Sequence, residues 1–328
     1  MSPLWFVAFA IFALTVLAVW LVLMQLRRRQ ILAQPNERSS HAVPTPVGGG
    51  IGVLIVLLPA LVIYGHATGQ LWKLATAAAL AFLLALVSWV DDMRTLQALP
   101  RLAAHSGAAA LGMFLLPGPI LQGWVPPWLD IGLGVLAWVW FINLYNFMDG
   151  IDGITGAETA AIGFGLFLVA SSADTYGLSL GDGLPALMLA AAAIGFLVWN
   201  WHPARVFLGD VGSVPLGFLA GWLLLDAAAR GALGPALILP LYYAADATIV
   251  LLRRLTRGER VWEAHREHWY QRAVLSGLSH ARVVLMISGA NALLIALALW
   301  ALDRTWPSLV AAAAVVAALL LYLGARRP

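Results

Sequence analysis

Apolar residues come in long, nearly unbroken runs, without the alternation of a half-buried strand or the single stripe of a soluble amphipathic helix. Eleven such runs follow one another, over 3–26, 47–65, 71–90, 102–120, 131–148, 154–172, 185–202, 214–229, 235–252, 283–302 and 308–325. A helix rises about 1.5 Å per residue, so about 20 apolar residues cross a hydrocarbon layer of ~30 Å. The pattern predicts an all-α integral membrane protein of about eleven transmembrane helices. The first run does not read as a cleavable leader. No basic segment precedes it, and it ends in Arg27-Arg28-Arg29 instead of a small-residue cleavage site.

Composition narrows the classes further. Hydrophobic residues make up 62% of the 328 and charged residues 11%, against roughly 25% charged in a soluble domain. Cysteine is absent, which removes disulfides, thiolate zinc sites and thiol nucleophiles. A pI near 9.5 rests on a net charge of only +3, and the placement of the basic residues accounts for it. All the Lys and Arg except Lys73, Arg230 and Arg304 fall on one set of loops and termini. Under the positive-inside rule that set is cytosolic, so the N-terminus is expected outside and the C-terminus in the cytosol. An odd number of spans requires the same. Nucleic acid is not an expected partner. No internal repeat, linker or second domain is visible. Residues 1–328 read as a single polytopic membrane domain, with cytosolic loops 27–46, 91–101, 149–153, 203–213 and 253–282.

Five unusual polar segments fall on that expected cytosolic side. Arg38-Ser-Ser-His41-Ala-Val-Pro44-Thr45-Pro46-Val-Gly48-Gly49-Gly50 joins a stiff extended approach to three glycines. It suits either a hinge or the close approach of a backbone or ligand. Asp91-Asp92-Met-Arg94 closes the third run, where paired carboxylates repel one another and oppose the helix dipole unless a cation compensates them. Arg94 and Arg101 or a divalent ion would serve. Asn143-Leu-Tyr-Asn146-Phe-Met-Asp149-Gly150-Ile-Asp152-Gly153 gathers four oxygen-bearing side chains at helical spacing near a helix end, the donor type hard cations take. A capped Asp-Gly turn is the plainer reading. Asn200-Trp-His202-Pro203-Ala-Arg205-Val-Phe207-Leu-Gly209-Asp210-Val-Gly212-Ser213 offers backbone amides and a carboxylate before a helix start, with Phe207 able to stack on a planar base. His265-Arg266-Glu267-His268-Trp-Tyr270-Gln271-Arg272 pairs two histidines with fixed positive charge, which suits a phosphate or an amphipathic helix lying on anionic lipid. Asp246 lies within a run, where an ionised carboxylate costs about 2.5–3.5 kcal/mol on insertion scales, and is expected to face the protein interior. His105, Asp226 and Glu158 can be satisfied locally and receive no role.

Taken together, these motifs resemble the polyprenyl-phosphate N-acetylhexosamine-1-phosphate transferase superfamily, which includes phospho-MurNAc-pentapeptide transferase and the WecA-type enzymes. The resemblance runs from about Arg38 to Arg272. The family's aspartate pair falls on Asp91 and Asp92, its Asn-x-x-Asn-x-x-Asp-Gly-x-Asp-Gly run on Asn143 through Gly153, and its Asn-x-x-Pro-Ala-x-x-Phe-x-Gly-Asp-x-Gly-Ser run on Asn200 through Ser213. The Pro44-Thr-Pro-x-Gly-Gly-Gly50 entry is similar to its second-span motif. The family's His-x-His-His departs here, because Glu267 stands where the middle His would be, between His265 and His268. That leans away from the peptidoglycan enzyme and towards the WecA/WbpL-like branch, which initiates O-antigen or related envelope glycans.

The resemblance implies that undecaprenyl phosphate attacks the β-phosphorus of a UDP-N-acetylhexosamine, giving undecaprenyl-diphosphate-sugar and UMP. The implied cofactor is Mg²⁺, or Mn²⁺, held by Asp210 with Asp91 and Asp92, and these aspartates with His265 and His268 are the implied catalytic set. Asn146, Asp149, Asp152, Asn200 and Phe207 would form the nucleotide pocket, and Arg38, His265 and His268 would grip the diphosphate. His41, Asn143, Arg266 and Arg272 are further candidate substrate contacts. A groove near the ninth run and Asp246 would admit the prenyl chain. Partners are the two substrates and the bilayer, with homodimerisation open. UDP-GlcNAc and 6-deoxy donors such as UDP-FucNAc or UDP-QuiNAc both suit the pattern. The rival class is an ion-coupled transporter using Asp246 and the Asn143/Asn146 face. A non-catalytic scaffold has no use for such carboxylate clusters.

Overall fold

The computed structural model describes residues 3–33, 44–94, 96–172, 183–260 and 265–325. It is an all-α membrane protein with one small exception. Thirteen helices follow in order: α1 (Pro3–Arg28), α2 (Gly50–Ala67), α3 (Leu71–Arg94), α4 (Ala98–Gly112), α5 (Pro127–Phe147), α6 (Ile154–Ser172), α7 (Leu184–Asn200), α8 (Asp210–Ala229), α9 (Leu233–Ile238), α10 (Leu241–Thr256), α11 (Trp269–Leu275), α12 (His280–Trp300) and α13 (Thr305–Gly324). The exception is an antiparallel ribbon of two-residue strands, β1 (Leu32–Ala33) and β2 (Thr45–Pro46).

Eight helices among the described residues are long and apolar enough to cross a membrane, namely α1, α2, α3, α5, α6, α8, α12 and α13. The other expected spans take different forms. Helix α7 has 17 residues, and the 15 residues of α4 continue into a single 3-10 turn, Met113–Leu115. The run 235–252 is not one helix. It breaks between α9 and α10 at Pro240, whose ring removes a backbone donor and clashes with the preceding turn.

Helix α8 forms the centre. In its apolar stretch 83% of the residues are buried, against 22% in α1, so α8 is apolar all round and α1 faces lipid on most sides. Small residues let its neighbours close in. A side-chain carbon on Gly217 would lie 2.8 Å from Tyr145 Cβ, and one on Gly221 would lie 2.7 Å from the Trp138 ring. The Trp138 ring in turn stacks on Phe218 at 4.8 Å and donates to the Phe218 carbonyl at 3.0 Å.

At one end of the bundle, Lys73 and Arg230 share Asp226, and Arg304 pairs with Asp303, so all three outlying basic residues have an acidic partner. The C-terminal ends of α3, α5 and α7 and the N-terminal ends of α8 and α12 contribute the residues of the candidate site.

Candidate active site

Backbone contacts fix the two glycine-rich segments to each other. Phe207 N donates to the Pro46 carbonyl at 2.8 Å, Gly48 N and Gly49 N donate to the Phe207 carbonyl at 3.1 and 2.8 Å, and Gly50 N donates to the Leu208 carbonyl at 3.0 Å. A side-chain carbon on Gly212 would come within 2.7 Å of Gly50 Cα. The glycines after Pro46 therefore admit a neighbouring backbone. Gly209, at φ 73°, supplies the left-handed turn that starts α8, a conformation open to glycine at little cost.

A polar cavity of about 280 Å³ opens beside this joint, lined by Asn146, Asp149, Asp152, Phe207, Asp210, Gln271 and His280 among others. At its acidic end, Asn146 Nδ2 donates to Asp210 Oδ2 at 3.2 Å, while Ser213 donates to Asn146 Oδ1 at 2.6 Å. Asn146 is thus a positioning residue that spends both polar atoms on aiming the Asp210 carboxylate. Burial pushes the Asp149 carboxyl up to about 7, and the Asp210 charge adds to the shift against a hydrogen bond with Thr155. Asp92 is exposed and lies within electrostatic range of Asp210 and Asp91. Asp91 is buried and already engaged, accepting from Leu96 N at 2.6 Å and Arg101 Nη1 at 3.0 Å. Asp149 and Asp210 therefore line the cavity, whereas Asp91 and Asp92 lie outside its lining within electrostatic range of Asp210, with Arg101 as the cation paired to Asp91.

The other end of the cavity is neutralised. Asp152 Oδ2 meets His202 Nδ1 at 2.6 Å and accepts from Ala204 N at 3.1 Å, and Oδ1 lies 3.3 Å from His280 Nδ1. Burial opposes the charge on Asp152, but the bonds from His280, His202 and Ala204 outweigh it and hold the carboxyl below its usual range. Ligand atoms of Asp152, His202 and His280 all lie within 4.8 Å of one another. The 2.6 Å contact is a hydrogen bond, since two ligands at about 2.0–2.1 Å from one tetrahedral ion stand farther apart. Asn200, an expected nucleotide contact, is a stitch between loops. Its Oδ1 accepts from Gly153 N and its Nδ2 donates to the Val206 carbonyl, both at 2.9 Å.

The last loop is organised by Asp246, which is fully buried. Its Oδ1 meets His268 Nδ1 at 2.9 Å and Trp269 N at 3.2 Å, and Oδ2 accepts from the Tyr242 hydroxyl at 3.2 Å. His268 is committed to this anchor and lies outside the cavity lining. His265 packs against the His268 ring at 4.8 Å. Burial, followed by His268 and Arg254, pushes it down to about 4, so it is uncharged at neutral pH and also lies outside the lining. Glu267 pairs with Arg257 and Arg254, which also hold Glu259; burial works against its charge and the arginines outweigh it, holding it below its usual range. Arg266 and Arg272 are partly buried and do not line the cavity. Arg38 and His41 lie outside the described residues.

Asn143 turns away from Asn146. Its Nδ2 donates to the Val139 carbonyl at 2.7 Å, and it lines an apolar groove of about 940 Å³ between α4, α5, α8, α9 and α10. Thr248, Leu251, Leu252 and Leu255 form the α10 wall of that groove, so the expected groove beside the ninth run is present but Asp246 is no part of it. The last turn of α5 separates the two spaces, with Asn146 in the polar cavity and Phe147 in the groove.

The profile of glycosyl transferase family 4 matches residues 74–228. The chain is similar to a probable undecaprenyl-phosphate N-acetylglucosaminyl 1-phosphate transferase of Bacillus subtilis, 27% identical over 86% of this chain and 80% of that one. The decaprenyl-phosphate N-acetylglucosaminephosphotransferase of Mycobacterium tuberculosis is 27% identical over 84% and 76% of the two chains. The phospho-N-acetylmuramoyl-pentapeptide-transferase of Synechococcus elongatus is 29% identical over 87% and 84%. The chain belongs to the polyprenyl-phosphate N-acetylhexosamine-1-phosphate transferase superfamily. Asp91, Asp92, Asp149, Asp152 and Asp210 fall inside the matched family region, whereas the last loop and His280 fall beyond it. His280 and Gln271 were not singled out as site residues by the sequence. Gln271 lies inside the His265–Arg272 segment without a role of its own and His280 just before the apolar run 283–302, and only the packing of α11 and α12 brings them to the cavity.

Proposed function

We propose that this protein transfers a UDP-activated N-acetylhexosamine 1-phosphate to undecaprenyl phosphate, giving undecaprenyl-diphosphate-sugar and UMP, as the first step of O-antigen or a related envelope glycan. The supporting observation is a carboxylate-rich polar cavity separated from a long apolar groove only by the last turn of α5. A soluble nucleotide-sugar and a lipid with a long prenyl tail need those two environments side by side. The chain would cross the inner membrane eleven times with its N-terminus outside, so that the cavity opens to the cytosol where UDP-sugars are made.

In the reaction, a phosphate oxygen of the lipid forms a bond to the β-phosphorus of the donor, and the bond from that phosphorus to the oxygen shared with the UMP phosphate breaks. Asp149 and Asp210 in the cavity, with Asp92 in electrostatic range of Asp210, offer the oxygen donors that a hard divalent cation takes. Mg²⁺ or Mn²⁺ held there would neutralise charge building on the phosphate oxygens. Asn146 keeps the Asp210 carboxylate aimed, and Asp91 with Arg101 fixes the end of α3. Phe207 offers a stacking face for the base. The groove would hold the prenyl chain, and Glu267 in place of the family's middle His favours the WecA/WbpL-like branch over peptidoglycan synthesis. The transporter reading loses its main support, because the Asp246 carboxylate is consumed by the last loop.

The test is a donor panel of UDP-GlcNAc, UDP-FucNAc, UDP-QuiNAc and UDP-MurNAc-pentapeptide with undecaprenyl phosphate and Mg²⁺, following UMP release. Asp210→Asn is expected to abolish release while the protein still inserts and folds. Near-normal turnover by that variant would remove the metal assignment, and cation-coupled uptake without UMP formation would restore the transporter.

A further inference from the structure

The cavity has two electrostatically distinct ends. Asp149 and Asp210 line one end, where the Asp210 charge acts on Asp149, while Asp152 is matched by His202 and His280. A nucleotide-sugar divides the same way, into a charged diphosphate that travels with a cation and an uncharged nucleoside. The Asp152 end of this cavity, which Phe207 also lines, suits the uncharged part.

At that end the Asp152 carboxylate is not the atom that meets a ligand. Oδ2 is taken by His202 and the Ala204 amide, and Oδ1 faces His280. His280 lines the cavity, is the first residue of α12, and is only 7% exposed. Its Nδ1 lies 3.3 Å from two groups with opposite demands, the Asp152 backbone N–H, which would donate to it, and the Asp152 Oδ1, to which it would donate. Burial opposes the charge on Asp152, and the His280 bond that holds its carboxyl below the usual range is the one to the carboxylate, which places the proton on Nδ1. The two nitrogens of an imidazole lie on opposite sides of the ring, so Nε2 points away from Asp152, and it has no protein partner among the described residues. A carboxylate that holds the proton on one ring nitrogen leaves the other as a lone-pair acceptor.

We propose that His280, oriented by Asp152, is the residue that reads the nucleoside end of the donor, accepting from the imide N–H of the base or from a ribose hydroxyl. This deepens the transferase reading and rests on it. His280 is a binding and specificity residue, and Asp152 and His202 are positioning residues that act through it.

The experiment uses the full-length protein in detergent, with UMP as the probe. Binding of UMP, CMP, 2′-deoxy-UMP and N3-methyl-UMP is measured to wild type, His280→Ala, His280→Gln and Asp152→Asn, beside KM for the UDP-sugar and for undecaprenyl phosphate. His280→Ala is expected to bind UMP about three- to tenfold more weakly, the range of one lost hydrogen bond. Its donor KM should rise in step, with KM for the lipid unchanged and partial rescue by His280→Gln. Lost discrimination against CMP and N3-methyl-UMP would assign the contact to the base, and lost discrimination against 2′-deoxy-UMP would assign it to the ribose. Either outcome supports the proposal. A folded His280→Ala that binds UMP within twofold of wild type and keeps the same ligand preferences overturns it, with the transferase reading intact. A wild-type protein that neither binds UMP nor releases it overturns the transferase reading, and this inference with it.

Discussion

Replacing Asp246 with alanine tests how the last loop is held against the membrane helices. The carboxylate is fully buried and carries three contacts, to His268 Nδ1, the Trp269 amide and the Tyr242 hydroxyl. Truncation strands all three partners in a site that excludes water, and His268 is only 2% exposed. Leaving a buried hydrogen-bonding group unsatisfied costs about 1–3 kcal/mol, so three stranded partners amount to about 3–5 kcal/mol at the lower end of that range. At 1.4 kcal/mol per tenfold, that is roughly two to nearly four powers of ten in the equilibrium docking α11 onto α10. The assay is limited trypsin digestion beside melting in detergent. Arg253, Arg257 and Arg260 are exposed, whereas Arg254 is buried and Arg272 partly so. The variant should melt lower and become cleavable at Arg254 and Arg272. Asp246→Leu with His268→Leu should recover part of the loss, since removing both hydrogen-bonding partners avoids a stranded one. Wild-type melting and digestion by Asp246→Ala would refute the anchor, and would return Asp246 to consideration as part of an ion path.

Two further outcomes follow from the acidic end of the cavity. Asn146→Ala leaves Asp210 without its donor and Ser213 without its acceptor, and should cut turnover about 10–100-fold at unchanged expression, the usual effect of losing a residue that orients a metal ligand; UMP release at saturating substrates measures it. Asp149 is raised to about 7, so its protonated form persists up to neutral pH, and cation binding, which needs the carboxylate, should weaken as pH falls through that value. Activity at limiting Mg²⁺ should therefore show an acid limb near pH 7 that high Mg²⁺ shifts downward, and a limb unmoved by Mg²⁺ would count against Asp149 as a ligand.

The run of apolar residues marked where the helices lie, because about 20 such residues in a row have few other stable settings than lipid. It did not mark how each run is cut. Pro240 was legible as a breaker, yet the apolar residues on both sides concealed the break between α9 and α10. Of the motif residues, Asn146, Asp149, Asp152, Asn200, Phe207 and Asp210 line one cavity, and their division of labour was hidden. Asn143 and Asn146 are three apart on one helix, and the 60° between them points one into the groove and the other into the cavity.

Composition, spacing and the distribution of arginine by themselves determined an all-α membrane protein whose reactive groups sit at a few helix ends. Those conclusions depend on transfer energy and helical period, which are local properties of a chain. The tertiary structure decided which polar groups remain available. Asn200, Asp91, Asp246 and His268 are spent on neighbouring backbone and side chains, while His280 and Gln271 reach the cavity from helices far along the chain. Whether a buried polar atom is a fastening or a ligand contact depends on who its partner is, and partners more than a hundred residues away, such as Asp152 and His280, meet only when the helices pack.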